Sequence, residues 1–388
     1  MKNIKSDFLL DNTITFLNHG SFGACPKPVF DDYQQWQRKL EFEPVQFIIK
    51  QSDVFLAASK TALATYLNCD KNDFVYTVNP STAFNLVIKN LLLKSGDEVL
   101  TTNQEYGAMD RTWRYYCKKA NAVYKQQAIS LPLVSKEQLI DEFFKGVTSK
   151  TKVVFISHLT SPTALLFPVK EICEIAKQKG LMTIVDGAHI PGQIALNLEQ
   201  IQADIYVGAC HKWLLTPKGC SFLYVKKEFQ HLLDPLVISW GYESENPGHS
   251  QFLDYNEYQG TRDISAFLTV PKALEYLTSN NWNERSKNCR LLIQENYPIL
   301  CDLLQTKPIC TVSDEFLGQM CSIPIQPKNP IRLKEKLFND FKIEIPITNF
   351  LNNYYLRVSI QAYNSQEDID TLAGAIQQLK QQGEFNWK

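Results

Sequence analysis

The sequence predicts an α/β protein, with a large domain whose mostly parallel sheet is covered by helices and a smaller C-terminal α/β domain. Three observations carry this. Short apolar runs of strand character alternate with amphipathic helical stretches, the order that right-handed crossovers between parallel strands produce. Two of these runs, Thr183-Ile184-Val185-Asp186 and Ala203-Asp204-Ile205-Tyr206-Val207-Gly208-Ala209, lead directly into ionisable residues: Asp186 and His189 in the first case, His211 and Lys212 in the second. Buried parallel strands deliver functional groups at their carboxyl ends in this way. Towards the C-terminus the same alternation returns on a smaller scale. Residues 1–25 are therefore expected to be an N-terminal segment contributing to the active site, 26–265 the large domain and 266–388 the small one.

The run Phe16-Leu17-Asn18-His19-Gly20-Ser21-Phe22-Gly23, followed by Pro26 and Pro28, reads either as a loop in which backbone approaches another group or as a plain connector. Val29, Tyr33, Trp36 and Leu40 fall at helical spacing and predict a helix over 28–40, with a second over 47–67. Residues 74–78 read as a strand leading through Asn79-Pro80-Ser81-Thr82 into a helix. Free backbone N–H groups, the helix dipole and two hydroxyls make that junction an anion seat, with plain capping by Ser81 or Thr82 as the other reading. A strand over 98–102 leads to Tyr106, placed to lie flat against a bound ring or to pack a turn.

A strand over 152–157 precedes the polar loop from His158 to Thr163, and a helix over 169–179 closes at Gly180, a residue suited to the left-handed cap. After the strands ending at Asp186 and Ala209 comes one more, over 221–225. Residues 240–262 are polar, aromatic and glycine-containing, and read as a long functional loop. Asp263 is placed to cap the helix that continues to Leu277, and a second helix spans 282–304. Strands over 320–325 and 355–360 then alternate with helices over 331–341 and 366–379.

Composition narrows the function classes. Forty basic residues against forty-one acidic give a net charge of -1, with no run of like charge to suggest nucleic acid or a membrane surface. Small molecules and other protein chains are the expected partners. Ten cysteines without CxxC pairs point to reduced, core-filling thiols, a cytoplasmic address and no metal site. The first twenty residues hold no apolar stretch long enough for a signal peptide, and no run suggests a membrane span.

An aspartate at one strand end and a lysine after the next is the pair that pyridoxal phosphate chemistry requires. The lysine would hold the cofactor aldehyde as a Schiff base, and the aspartate would keep the ring nitrogen protonated so that the ring accepts electrons. Lys212 and Asp186 are thus the candidate catalytic residues.

The motifs CHKWL, VDGAH and LRVSIQAYN resemble those of the class V aminotransferases of the type I pyridoxal phosphate fold. LNHGSFGACP, EYGAMDRTW, SHLTSPTAL, CHKWL and GTRD are most similar to the isopenicillin N epimerase branch. The resemblance spans nearly the whole chain and implies a homodimer with shared active sites. It further implies that Tyr106 stacks on the ring, that His189 and Thr163 approach its phenolic edge, and that Ser81, Thr82 and His211 bind the phosphate with Thr261 of the neighbouring subunit. Arg357 would clamp the substrate carboxylate, and Asn18 and His19 would line the substrate side. Ala209 stands where many relatives have a phosphate-binding serine.

Lys212, once displaced by the substrate, would take the Cα proton as general base. Return of the proton to the other face gives epimerisation; its return to the cofactor gives transamination; loss of a Cβ group gives elimination. A persulfide-forming desulfurase fits poorly, because no cysteine lies between Ser322 and Arg357 and Cys321 sits in an apolar strand. Epimerase, transaminase and cysteine-independent C–S lyase remain, with a non-catalytic cofactor-binding relative as the alternative of another class.

Overall fold

The computed structural model describes residues 4–386. Its strands, in chain order, are β1 (Thr15–Phe16), β2 (Phe74–Thr77), β3 (Glu98–Thr102), β4 (Val123–Gln127), β5 (Thr151–Ser157), β6 (Met182–Asp186), β7 (Ile205–Ala209), β8 (Ser221–Val225), β9 (Met320–Ile325), β10 (Ile343–Glu344), β11 (Ile347–Phe350) and β12 (Asn353–Ser359). Seven of them form the large sheet in the order β2-β8-β7-β6-β5-β3-β4, and β8 alone runs against its neighbours.

The apolar runs become central strands because both faces of the sheet are covered. Along β5, Val153 and Phe155 enter one buried cluster while Val154 and Ile156 enter the other, the two-residue alternation of a pleated strand. Helices Pro80–Asn90 and Gly107–Ala120 cover the first face. The parallel register matters most at the carboxyl edge. Ser157 of β5 pairs with Asp186 of β6, and Asp186 with Val207 of β7, so the chain leaving each strand reaches the same rim.

A second, three-stranded antiparallel sheet, β11-β12-β9, packs with helices Trp282–Leu303 and Gln366–Gln381. The N-terminal segment joins this part of the chain. β1 pairs in parallel with β10, and Asn18 bridges Ser359 at the end of β12.

Several details depart from the sequence reading, among them the unpredicted helix Lys136–Phe144 and strands β10 and β11. β4 is unpredicted, because VYKQQ carries too little apolar alternation to announce an edge strand. The helix over 47–67 begins with a π-helical turn, Gln46–Gln51, before Ser52–Leu67. The stretch read as a loop over 240–262 contains the helix Gln251–Glu257, capped by Ser250 and anchored by buried Phe252 and Asn256. The helix after Asp263 is broken into Ser265–Leu268 and Val270–Ser279, with Asp263 accepting the Ser265 N–H at 2.8 Å. Among the described residues no helix is long and apolar enough to cross a membrane.

Candidate active site

Asp186 ends β6, and Lys212 follows β7 by three residues. With these strands adjacent and parallel, their carboxyl ends open on one cavity of about 240 Å³. Asp186, His189, His211, Lys212, Ser81 and Tyr106 all line it.

Burial dominates the electrostatics. It pulls the Lys212 amine down to about 8; the Arg357 charge acts in the same direction and Asp186 opposes it. Burial raises the Asp186 carboxyl, an effect countered by the Ala188 N–H bonded to Oδ1 at 2.9 Å and by Lys212. Asp186 Oδ2 accepts no hydrogen bond among the described residues, so one carboxylate oxygen is left for a cationic N–H in the cavity.

His189 Nε2 lies 3.3 Å from Lys212 Nζ, and its Nδ1 lies 3.4 Å from the Trp213 indole nitrogen. His211 spends Nδ1–H on the Cys220 carbonyl at 2.9 Å, which leaves Nε2 as the nitrogen available to the cavity. Tyr106, 48% exposed, stands at the start of helix Gly107–Ala120.

At the anion seat the cap is neither Ser81 nor Thr82. Asn79 accepts the Thr82 N–H at 2.8 Å and the Thr82 hydroxyl at 3.1 Å. Ser81 is left facing the cavity beside Asn79, whereas Thr82 is committed to its cap and does not line it.

Other expected residues also stand behind the cavity. Thr163 is buried and donates to Gln104 Oε1 at 2.5 Å; Ser161 lines the wall instead. His19 is spent on the Tyr363 hydroxyl at 3.0 Å and the Lys212 carbonyl at 3.1 Å. Asn18 links the Ser21 hydroxyl, at 2.5 Å, to Glu344, at 2.9 Å. Ser21 and Phe22 are the members of this segment that reach the cavity. Arg357 donates to the Ser161 carbonyl at 2.7 Å and to Ser21 Oγ at 3.0 Å, gripping two lining residues from behind, while its buried Nε has no partner. Thr261 is exposed and away from this cavity, and Ala209 ends β7 buried.

Glu105 had no signal in the sequence beyond its place before Tyr106. It is buried, accepting the hydroxyls of Ser157 at 2.5 Å and Thr102 at 2.6 Å, and burial pushes its carboxyl up to about 8. All ten cysteines are free, and Cys321 is buried in β9 with its thiol held well above the usual range.

A family model described as aminotransferase class-V matches residues 26–372. The isopenicillin N epimerase of Amycolatopsis lactamdurans is 30% identical over 390 residues, covering 97% of this chain and 98% of that protein. An L-cysteine desulfhydrase of Arabidopsis thaliana is 25% identical over 420 residues, covering 97% and 90%. Among solved structures, the cysteine desulfurase of Thermococcus onnurineus NA1 superposes with a TM-score of 0.84 at 19% identity, covering 98% of this chain and 99% of that one. A C-DES variant with glycine covalently linked to its PLP cofactor gives 0.78 at 20%, covering 94% and 96%.

Proposed function

Since the chain belongs to the class V aminotransferase family, and so is a pyridoxal 5′-phosphate enzyme of the type I fold, we propose that it acts at the Cα of an α-amino acid through Lys212, with isopenicillin N epimerase-like chemistry. The observation that carries this reading is the buried amine of Lys212 facing the same cavity as the buried carboxyl of Asp186. When bound, the cofactor supplies an aldehyde that captures amines and a protonated ring that accepts electrons.

The residues suit that group. Asp186 Oδ2, free of other partners, is the oxygen for the ring N–H. Ser81 and His211 meet the phosphate at the N-terminus of helix Pro80–Asn90, where the helix dipole favours an anion. In the homodimer this reading requires, Thr261 of the other copy joins them. Tyr106 covers one face of the ring, and His189 Nε2 serves its phenolic edge with Thr163 in support. Arg357 is the candidate clamp for the substrate carboxylate: it stands behind Ser161 and Ser21 in the cavity wall, with its buried Nε unpartnered.

Lys212 Nζ moves the proton. An amine brought down to about 8 carries a useful neutral fraction at neutral pH and can take a proton from Cα, then return it as an acid. A cysteine-independent C–S lyase is the second reading, favoured by the desulfhydrase relatives together with the burial of Cys321, which leaves no exposed thiol in that region to carry sulfur. A panel of amino acids in deuterated water separates these and transamination. Deuterium at Cα with racemisation supports the epimerase, 2-oxo acid formation supports transamination, and pyruvate with released sulfide supports the lyase. A protein that binds the cofactor and exchanges no Cα proton from any of them would overturn the catalytic reading in favour of a non-catalytic relative.

A further inference from the structure

We propose that the indole N–H of Trp213 fixes the tautomer of His189 and, through it, holds the Lys212 amine neutral and nucleophilic. The proposal rests on the reading of Lys212 as the cofactor's point of attachment, and it assigns a positioning role to a residue that reading does not use.

An indole N–H can only donate. Trp213 Nε1 lies 3.4 Å from His189 Nδ1, so Nδ1 must present a lone pair, and a neutral imidazole then carries its proton on Nε2. That proton faces Lys212 Nζ at 3.3 Å. An ammonium there would set donor against donor, whereas a neutral amine offers the lone pair that Nε2–H needs. The arrangement has little freedom to rearrange. Trp213 is fully buried with its ring 4.7 Å from that of His19, and Gln193 donates its side-chain amide to the His189 carbonyl.

Escape by protonating the imidazole is closed as well. Burial, together with Lys212, Arg357 from β12, His19 from the N-terminal segment and His211 beside the lysine, holds His189 well below its ordinary range. Asp186 at the end of β6 is the acidic group acting on Lys212, and it pulls towards the ammonium form. The hydrogen bond from His189 therefore works with burial and Arg357 against Asp186, keeping the amine ready for an aldehyde at neutral pH.

The test is made on the 388-residue chain before addition of pyridoxal 5′-phosphate. Long-range ¹H–¹⁵N correlations of the six histidines should show His189 in the wild-type chain with Nδ1 unprotonated and Nε2 protonated. Trp213→Phe, which keeps an aromatic ring and removes the N–H, should give mixed tautomers. Competitive acetylation of Lys212 in the cofactor-free chain, followed by mass spectrometry across pH, should show about a tenfold loss of labelling at neutral pH in the variant, equivalent to a rise of about one pKa unit. A wild-type His189 protonated on Nδ1 would overturn the proposal without need of the variant, even if the variant does not fold. So would a Lys212 profile unchanged in a folded variant whose tautomers have mixed. Both readouts precede cofactor capture, so they stand or fall separately from Lys212's identity as the attachment point.

Discussion

Ser157 and Asp186 lie opposite one another in register at the carboxyl ends of β5 and β6, and the Ser157 hydroxyl points away to the carboxyl of Glu105. The rim of the sheet thus carries two buried carboxyls, and the charge on Asp186 helps to raise Glu105. Burial raises the Glu105 carboxyl to about 8 against the hydroxyls that favour its charge.

Stability of the cofactor-free chain should record that rise. With its folded value at about 8 against an ordinary 4.5, Glu105 contributes stability that is complete below about pH 4.5 and lost as pH rises through about 8. Glu105→Gln mimics the protonated form at every pH. Melting curves should show the variant gaining on the wild type as pH rises across that window; parallel curves would mean that Glu105 is ionised in the fold.

Asp186→Asn preserves shape and removes the charge facing the ring. Cα-proton exchange should fall about 10²–10³-fold, the loss typical of removing one preorganised electrostatic partner. Cofactor binding should survive, and an unchanged exchange rate would remove Asp186 from the chemistry.

Much of this was legible because the strands deliver it. Lys212, Asp186, His189 and His211 follow apolar runs, and Tyr106 and Ser81 stand at helix starts just beyond strands, so element order alone brings all six to one rim. His19 and Thr163 look equally chemical in the sequence, but their polar atoms are spent on Tyr363 and Gln104, partners that only the folded chain supplies, while Thr82 is taken by Asn79, the local cap three residues before it. Glu105 was hidden for the converse reason: its hydroxyl partners come from two different strands. β4 and the helix Gln251–Glu257 were missed because polar and aromatic residues outnumber the apolar ones that mark an element's buried face.

Arg357→Lys keeps the charge and loses the planar fork that bonds Ser161 and Ser21 together. KM for the amino acid should rise about tenfold or more, from the loss of one charged hydrogen bond worth about 1.5–3 kcal/mol, with a smaller change in kcat. A fall in kcat at constant KM would place Arg357 in the proton-transfer step instead of in substrate binding.

Gly23 is where the N-terminal segment touches the lysine loop. Its φ is +69°, and an added Cβ would lie 2.1 Å from the His211 carbonyl oxygen and 2.8 Å from the Lys212 Cα. Gly23→Ala must therefore lift the segment away, at a cost of about 1–3 kcal/mol in strain and overpacking. A lowered melting temperature and faster proteolysis near residue 23 are expected, and a variant indistinguishable from wild type would show that the segment does not pack there.

The most direct measurement is borohydride reduction of the cofactor-loaded protein followed by peptide mapping. The account predicts loss of the visible absorption and a pyridoxyl mass increment on the peptide containing Lys212, with no stable adduct in Lys212→Ala. An increment on any other lysine, or none on a protein that has bound the cofactor, would contradict it.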